Sequence, residues 1–87
     1  MSKQEKLIRR FLSKPTDFTW NETVALLRIF DYKMSAAGKT GGSRVKFVHP
    51  VLPVISLHKP HPRKIMKTYQ IDQIEEFLVG EGLINEE

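Results

Sequence analysis

Apolar residues at the start of the chain fall at helical spacing. Leu7, Ile8, Phe11 and Leu12 form one stripe, and Lys3, Lys6, Arg9, Arg10 and Lys14 take the other positions. The pattern predicts a short amphipathic helix that Pro15 stops. Thr19-Trp20-Asn21-Glu22 then reads as a capping box, in which the Thr hydroxyl accepts from the Glu22 amide and Glu22 reaches back. Trp20, Val24, Leu27 and Phe30 continue as a second helical stripe, ending near Ile29 or Phe30. Asp31 marks the helix end, where glycine would be the easier residue.

The period then changes from helical to alternating. Tyr32, Met34 and Ala36 alternate with Lys33, Ser35 and Ala37, which predicts a first strand. Gly38-Lys39-Thr40-Gly41-Gly42 is a flexible turn. From Arg44 to His49 the alternation resumes, with Val45 and Phe47 on one side and Arg44, Lys46 and Val48 on the other. Pro50 to Pro53 is a connection, because neither proline can donate to a ladder. Val54 to His58 is a third strand, with Ile55 and Leu57 opposed to Ser56 and His58. Lys59-Pro60-His61-Pro62-Arg63-Lys64 is an extended basic loop, followed by a helix carrying Ile71, Ile74, Phe77 and Leu78. That helix ends near Gly80 or Gly82, with Leu83 and Ile84 folding back onto the core.

Together these elements predict an α+β fold in two layers, α-α-β-β-β-α in order, with a three-stranded antiparallel sheet and helices packed on one face. Period two then sends Val45, Phe47, Ile55 and Leu57 inward. Arg44, Lys46, Ser56 and His58 share the open face.

The size of the chain, 87 residues, limits the possibilities to one small domain over residues 1–87, with 1–15 as an added N-terminal helix and 19–84 as the core. A TIM barrel or a dinucleotide-binding domain with a substrate lobe is excluded. Cysteine is absent, so neither disulfides nor thiolate metal sites contribute. No apolar run approaches the roughly 18 residues of a membrane span, and charge interrupts the N-terminus too often for a secretory signal. A cytoplasmic protein is the expectation.

Charge changes the picture more than composition does. The net charge of +4 conceals an uneven distribution. Between Tyr32 and Ile71 stand Lys33, Lys39, Arg44, Lys46, Lys59, Arg63, Lys64 and Lys67, without one acid. From Asp72 onward Asp72, Glu75, Glu76, Glu81, Glu86 and Glu87 appear without a lysine or arginine. A middle segment of one sign suits phosphate, and binding through it would be salt-dependent. The plainer reading is a solvated face balanced by the acidic tail.

Three chemistries compete for these residues. Gly38-Lys39-Thr40 suggests a phosphate loop, but that motif needs a glycine where Lys33 stands, so the glycines belong to a hairpin turn. His49, His58 and His61 suggest a metal by count alone. Two imidazoles across Pro60 chelate poorly, and the surrounding cations repel a divalent ion, so no metal and no cofactor is expected. Proton transfer fits better. Metal-free ribonucleases take a proton from a 2′-hydroxyl and return one to the leaving 5′-oxygen, and histidine titrates near neutrality. Arg44 would neutralise phosphorane charge and Lys46 would steer the strand, with His58 beside them. The plainer reading of His58 is an idle exposed histidine, and His49 reads as a strand terminus. Tyr32, Trp20 and Tyr69 offer stacking surfaces, but their parity favours core packing.

Gly41-Gly42-Ser43-Arg44-Val45-Lys46-Phe47-Val48-His49-Pro50, Ile55-Ser56-Leu57-His58-Lys59-Pro60-His61-Pro62 and Ile71-x-x-Ile74-x-x-Phe77-Leu78 together resemble the HicA toxin family of bacterial toxin–antitoxin systems. The resemblance covers Trp20 to Ile84. It implies a double-stranded-RNA-binding-domain-like fold, cleavage of mRNA as an endoribonuclease (an mRNA interferase), and a HicB-type antitoxin that covers the site.

One position departs from that pattern. The family places its catalytic histidine directly after Gly-Ser, and here Arg44 stands there. Arginine keeps its proton at ordinary pH and cannot act as a general base. Two alternatives follow: His58 or His61 carries the proton transfer, with His58 the first choice and His61 a second group, or the protein binds RNA and cleaves it weakly or not at all. In either case Lys46, Lys39, Lys59, Arg63, Lys64 and Ser43 are the residues expected to hold RNA.

Overall fold

The computed structural model describes residues 2–35, 44–60 and 63–84. Ala36, Ala37, the glycine turn with Lys39, Ser43 and His61 lie outside the described residues. Element order is α1 (Lys3–Leu12), α2 (Trp20–Ile29), β1 (Lys33–Met34), β2 (Arg44–Val48), β3 (Ile55–His58) and α3 (Thr68–Gly80). This is the α+β order expected from the pattern, and it is consistent with the double-stranded-RNA-binding-domain-like fold of HicA proteins.

Helix α1 begins where the Ser2 side chain accepts a hydrogen bond from the Glu5 amide at 3.2 Å. Its apolar stripe faces the helical layer, and Phe11 is fully buried with its ring edge-on to Phe18 at 5.6 Å. Burying such a ring contributes roughly 1.5–3 kcal/mol. The helix stops as expected: Lys14 takes a left-handed φ of 53°, and Pro15 cannot continue the ladder.

The capping box forms in full at the start of α2. Thr19 Oγ1 accepts from the Glu22 amide at 3.1 Å, and a Glu22 carboxylate oxygen accepts from the Thr19 amide at 3.0 Å. Trp20, Thr23, Leu26 and Leu27 are buried, so the stripe is wider than Trp20, Val24 and Leu27 alone. At its end the amide of Asp31 donates to the Arg28 carbonyl and that of Tyr32 to the Leu27 carbonyl, both within 3.1 Å. This Schellman pairing puts Asp31 at a left-handed φ of 69°.

The sheet runs β1-β2-β3, antiparallel throughout. Among the described residues β1 comprises Lys33 and Met34; Tyr32 precedes it rather than joining it. The Tyr32 side chain is completely buried, and its hydroxyl donates to the Pro53 carbonyl at 2.8 Å. Burial pushes its phenol pKa up. In β2 and β3 the register pairs Arg44 with His58, Val45 with Leu57, Lys46 with Ser56 and Phe47 with Ile55. Phe47, Ile55 and Leu57 are buried beneath the helices, with Val45 packed partly against them. Arg44, Lys46, Val48, Ser56 and His58 are exposed on the opposite face, as alternation requires.

Two further features hold the layers together. The stretch leading into α3 is tied to the start of α2: the Trp20 amide donates to the Lys64 carbonyl at 2.9 Å and the Met66 amide to the Phe18 carbonyl at 2.7 Å. Ile71, Ile74 and Leu78 bury the inner side of α3 together with Gln70. The helix closes through Gly82 at a φ of 74°, where glycine carries no steric penalty, and Ile84 turns back into the core. Tyr69 corrects the sequence reading. It is 53% exposed, because the buried stripe of α3 runs along the other side of the helix.

Candidate functional site

Three cross-strand neighbours define the site. Arg44 opens β2 and His58 closes β3, so the antiparallel register sets them directly opposite each other on the open face. Arg44 Nη2 lies 3.4 Å from His58 Nε2. A guanidinium has no acceptor, so this contact is a hydrogen bond only when Nε2 carries no proton. Two residues along, Lys46 stands opposite Ser56 on the same face. The sheet therefore aligns a fixed positive charge, an imidazole and a second cation on one exposed surface.

The backbone beneath His58 is anchored from the helical layer. Gln70 is 4% exposed, and its Nε2 donates to the His58 carbonyl at 3.1 Å. This residue was missed in the sequence. The signal available was a polar side chain one position ahead of Ile71, on the apolar side of α3.

The remaining candidates separate. Lys59 follows His58 directly and is half-buried. Arg63 and Lys64 are exposed on the stretch that the Trp20 amide anchors, and the side-chain bond seen at the site joins Arg44 to His58. His61, Lys39 and Ser43 lie outside the described residues. His49 has a structural task that suits a strand terminus. Its Nδ1 accepts from the Val51 and Leu52 amides, each at 3.0 Å, and its ring lies 4.9 Å from that of Tyr32. Trp20 and Tyr32 are core residues, as expected.

Among the described residues Arg44, Lys46, Ser56 and His58 form an exposed surface rather than a chamber. A groove of about 210 Å³ runs along the outer edge of β3, between Ser56 or Leu57 and the side chains of Gln73, Ile74 and Phe77. An open cationic face suits an extended polymer better than a small molecule, which needs enclosure. Among the described residues no three His, Cys, Asp or Glu side chains gather in the manner of a metal site. No helix among them is long and apolar enough to cross a membrane.

By class, then, this is a small α+β domain whose described residues present a cationic sheet face with the His58 imidazole on it. The family model described as the HicA toxin of bacterial toxin–antitoxin matches residues 20–78, and the chain belongs to that family. Membership places it within a toxin–antitoxin system and implies an antitoxin partner. No curated protein and no solved structure matches the chain. The matched region begins at Trp20, so α1 lies outside it.

Proposed function

We propose that this HicA-family chain is a cytoplasmic, metal-independent mRNA endoribonuclease, acting as one domain and neutralised by a HicB-type antitoxin. The observation that carries the reading is the Arg44–His58 pair, 3.4 Å apart on the open face with Lys46 two residues along.

The chemistry follows from these groups. Lys46 draws the RNA backbone onto the sheet, with Lys59, Arg63 and Lys64 extending the phosphate track. His58 Nε2 takes the proton of a 2′-hydroxyl. The freed oxygen attacks the adjacent phosphorus, and Arg44 neutralises the charge that builds on the phosphorane oxygens. The P–O5′ bond breaks, and the leaving oxygen receives a proton from the imidazolium of His58 or from His61. The products are a 2′,3′-cyclic phosphate and a 5′-hydroxyl. No redox step enters, and atoms and charge balance without a cofactor.

One observation favours a second reading. Arg44 occupies the place of the family's catalytic histidine, which fits an RNA-binding chain that holds transcripts and partners an antitoxin without cutting. Inducible expression with and without the antitoxin decides between them. The enzyme reading expects growth arrest with transcript cleavage, relieved by the antitoxin and abolished by His58→Ala. Full arrest in His58→Ala at equal expression removes His58 from the mechanism. Arrest without cleavage favours the binding reading.

A further inference from the structure

Helix α1 lies outside the matched family region, yet it is fixed to the core at two points. Arg10 bonds Glu22 at 2.6 Å and Asp17 at 3.0 Å, while Lys14 reaches Asp72 and Glu75 on α3 at 3.0 and 3.1 Å. Phe11 is buried, and Leu7, Ile8 and Leu12 pack against the core. What α1 leaves outward is a row of cations: Lys3, Lys6 and Arg9, all exposed and in no ion pair among the described residues. The one acid of the helix, Glu5, sits in its first turn, where it complements the helix dipole, and it is in no ion pair either. Across the cleft between α1 and α2, Arg28 is also exposed; it and Lys3 stand at a cleft whose remaining lining is Gln4 and the apolar Leu7, Ala25 and Ile29, so the cations outside the cleft, not the cleft itself, form the charged face.

We infer that the outer face of α1 is a second phosphate-binding surface, one that holds RNA away from the Arg44–His58 pair. The inference rests on RNA being the ligand of this protein. Three features favour a phosphate backbone over a protein or a membrane surface, and the proposed function makes that backbone RNA. The row carries no apolar residue, whereas a protein interface needs an apolar or aromatic centre. Phosphate contacts need only cations. A membrane-surface helix must offer its apolar side, and here that side is packed against the core, with Phe11 buried and Leu7, Ile8 and Leu12 partly so. The two ion-pair anchors hold the helix in place before RNA arrives, which lowers the ordering cost of binding.

The test is a salt titration of binding to a single-stranded RNA whose 2′-hydroxyls are methylated, so that it cannot be cleaved. It compares the full-length wild type, a Lys3→Gln/Lys6→Gln/Arg9→Gln variant and a charge-conserving Lys3→Arg/Lys6→Arg/Arg9→Lys variant. Each lost phosphate contact on single-stranded nucleic acid removes about 0.7 from the slope of log K against log salt, so the glutamine variant should lose about 2. The charge-conserving variant should keep the wild-type slope, and thermal melts of all three should nearly coincide, because Lys3, Lys6 and Arg9 are exposed and in no ion pair among the described residues. Wild-type binding with an unchanged slope in the glutamine variant overturns this inference alone. Loss of antitoxin binding in that variant with RNA binding intact also overturns it, by making the face a protein surface. Failure of the wild type to bind RNA overturns the functional reading and this one with it.

Discussion

The side-chain amide of Gln70, on α3, donates at 3.1 Å to the backbone carbonyl of His58, the last residue of β3. A buried residue of the helical layer thereby sets the end of the strand that presents the imidazole. Gln70→Glu keeps the shape and removes the donor, setting a carboxylate against a carbonyl. Leaving such a group unsatisfied costs about 1–3 kcal/mol. If Gln70 positions His58, the variant should lose kcat against RNA while KM changes little, and a chemical melt should show the stability loss. Equal turnover at reduced stability would make Gln70 structural only.

Arg44 is expected to act on charge developing in the transition state. Arg44→Ala should lower kcat by about 10²–10³-fold, as loss of one preorganised stabilising group does elsewhere. Arg44→Lys should recover part of it, because the charge returns without the planar fork. Arg44→His offers the decisive contrast. If it creates cleavage in a protein that otherwise cuts nothing, the chain is an RNA binder that lost its family chemistry.

Asp31 stores backbone strain. Its φ of 69° lies in the left-handed region, at the helix end where the Asp31 and Tyr32 amides pair with the last turn of α2. Glycine occupies that region without steric penalty. Asp31→Gly should stabilise the fold by about 0.5–1 kcal/mol and raise Tm by a few degrees in a thermal melt. A lower Tm would show that the Asp31 side chain contributes more than its conformation costs.

Glu22 links acid stability to the anchoring of α1. Its hydrogen bond from Arg10 holds the carboxyl below its ordinary value of 4.5, partial burial opposes the shift, and the Thr19 amide adds to it. With the folded pKa below the unfolded one, the unfolded chain binds the proton more readily, and stability falls as pH drops through the folded value. Glu22→Gln keeps the cap acceptor but not the charge partner. It should therefore be less stable than wild type at pH 7, and the gap should narrow progressively as pH falls below 4.5. Urea midpoints at pH 7 and pH 3 measure it, and a gap of the same size at both would contradict the assignment.

Much of the site was legible because sheets have period two. Alternation alone set Arg44, Lys46, Ser56 and His58 on one face, and the structure adds that register makes Arg44 and His58 direct partners. The capping box at Thr19 and Glu22 was equally local and equally readable. What could not be read was pairing across the chain. Lys14 meets Asp72 only because α1 is docked beside α3, and no spacing rule connects residues so far apart. Gln70 escaped because its partner is a backbone carbonyl on another element. Tyr69 was misassigned to the core because an aromatic at the start of a helix fits either side until packing chooses one.

The most direct test of the central claim is cleavage of a single-stranded transcript by purified protein in excess EDTA, wild type beside His58→Ala. The account predicts cleavage by the wild type to 2′,3′-cyclic phosphate ends, and a loss of about 10²–10⁴-fold in the variant with RNA binding retained. Equal rates for the two proteins would contradict it.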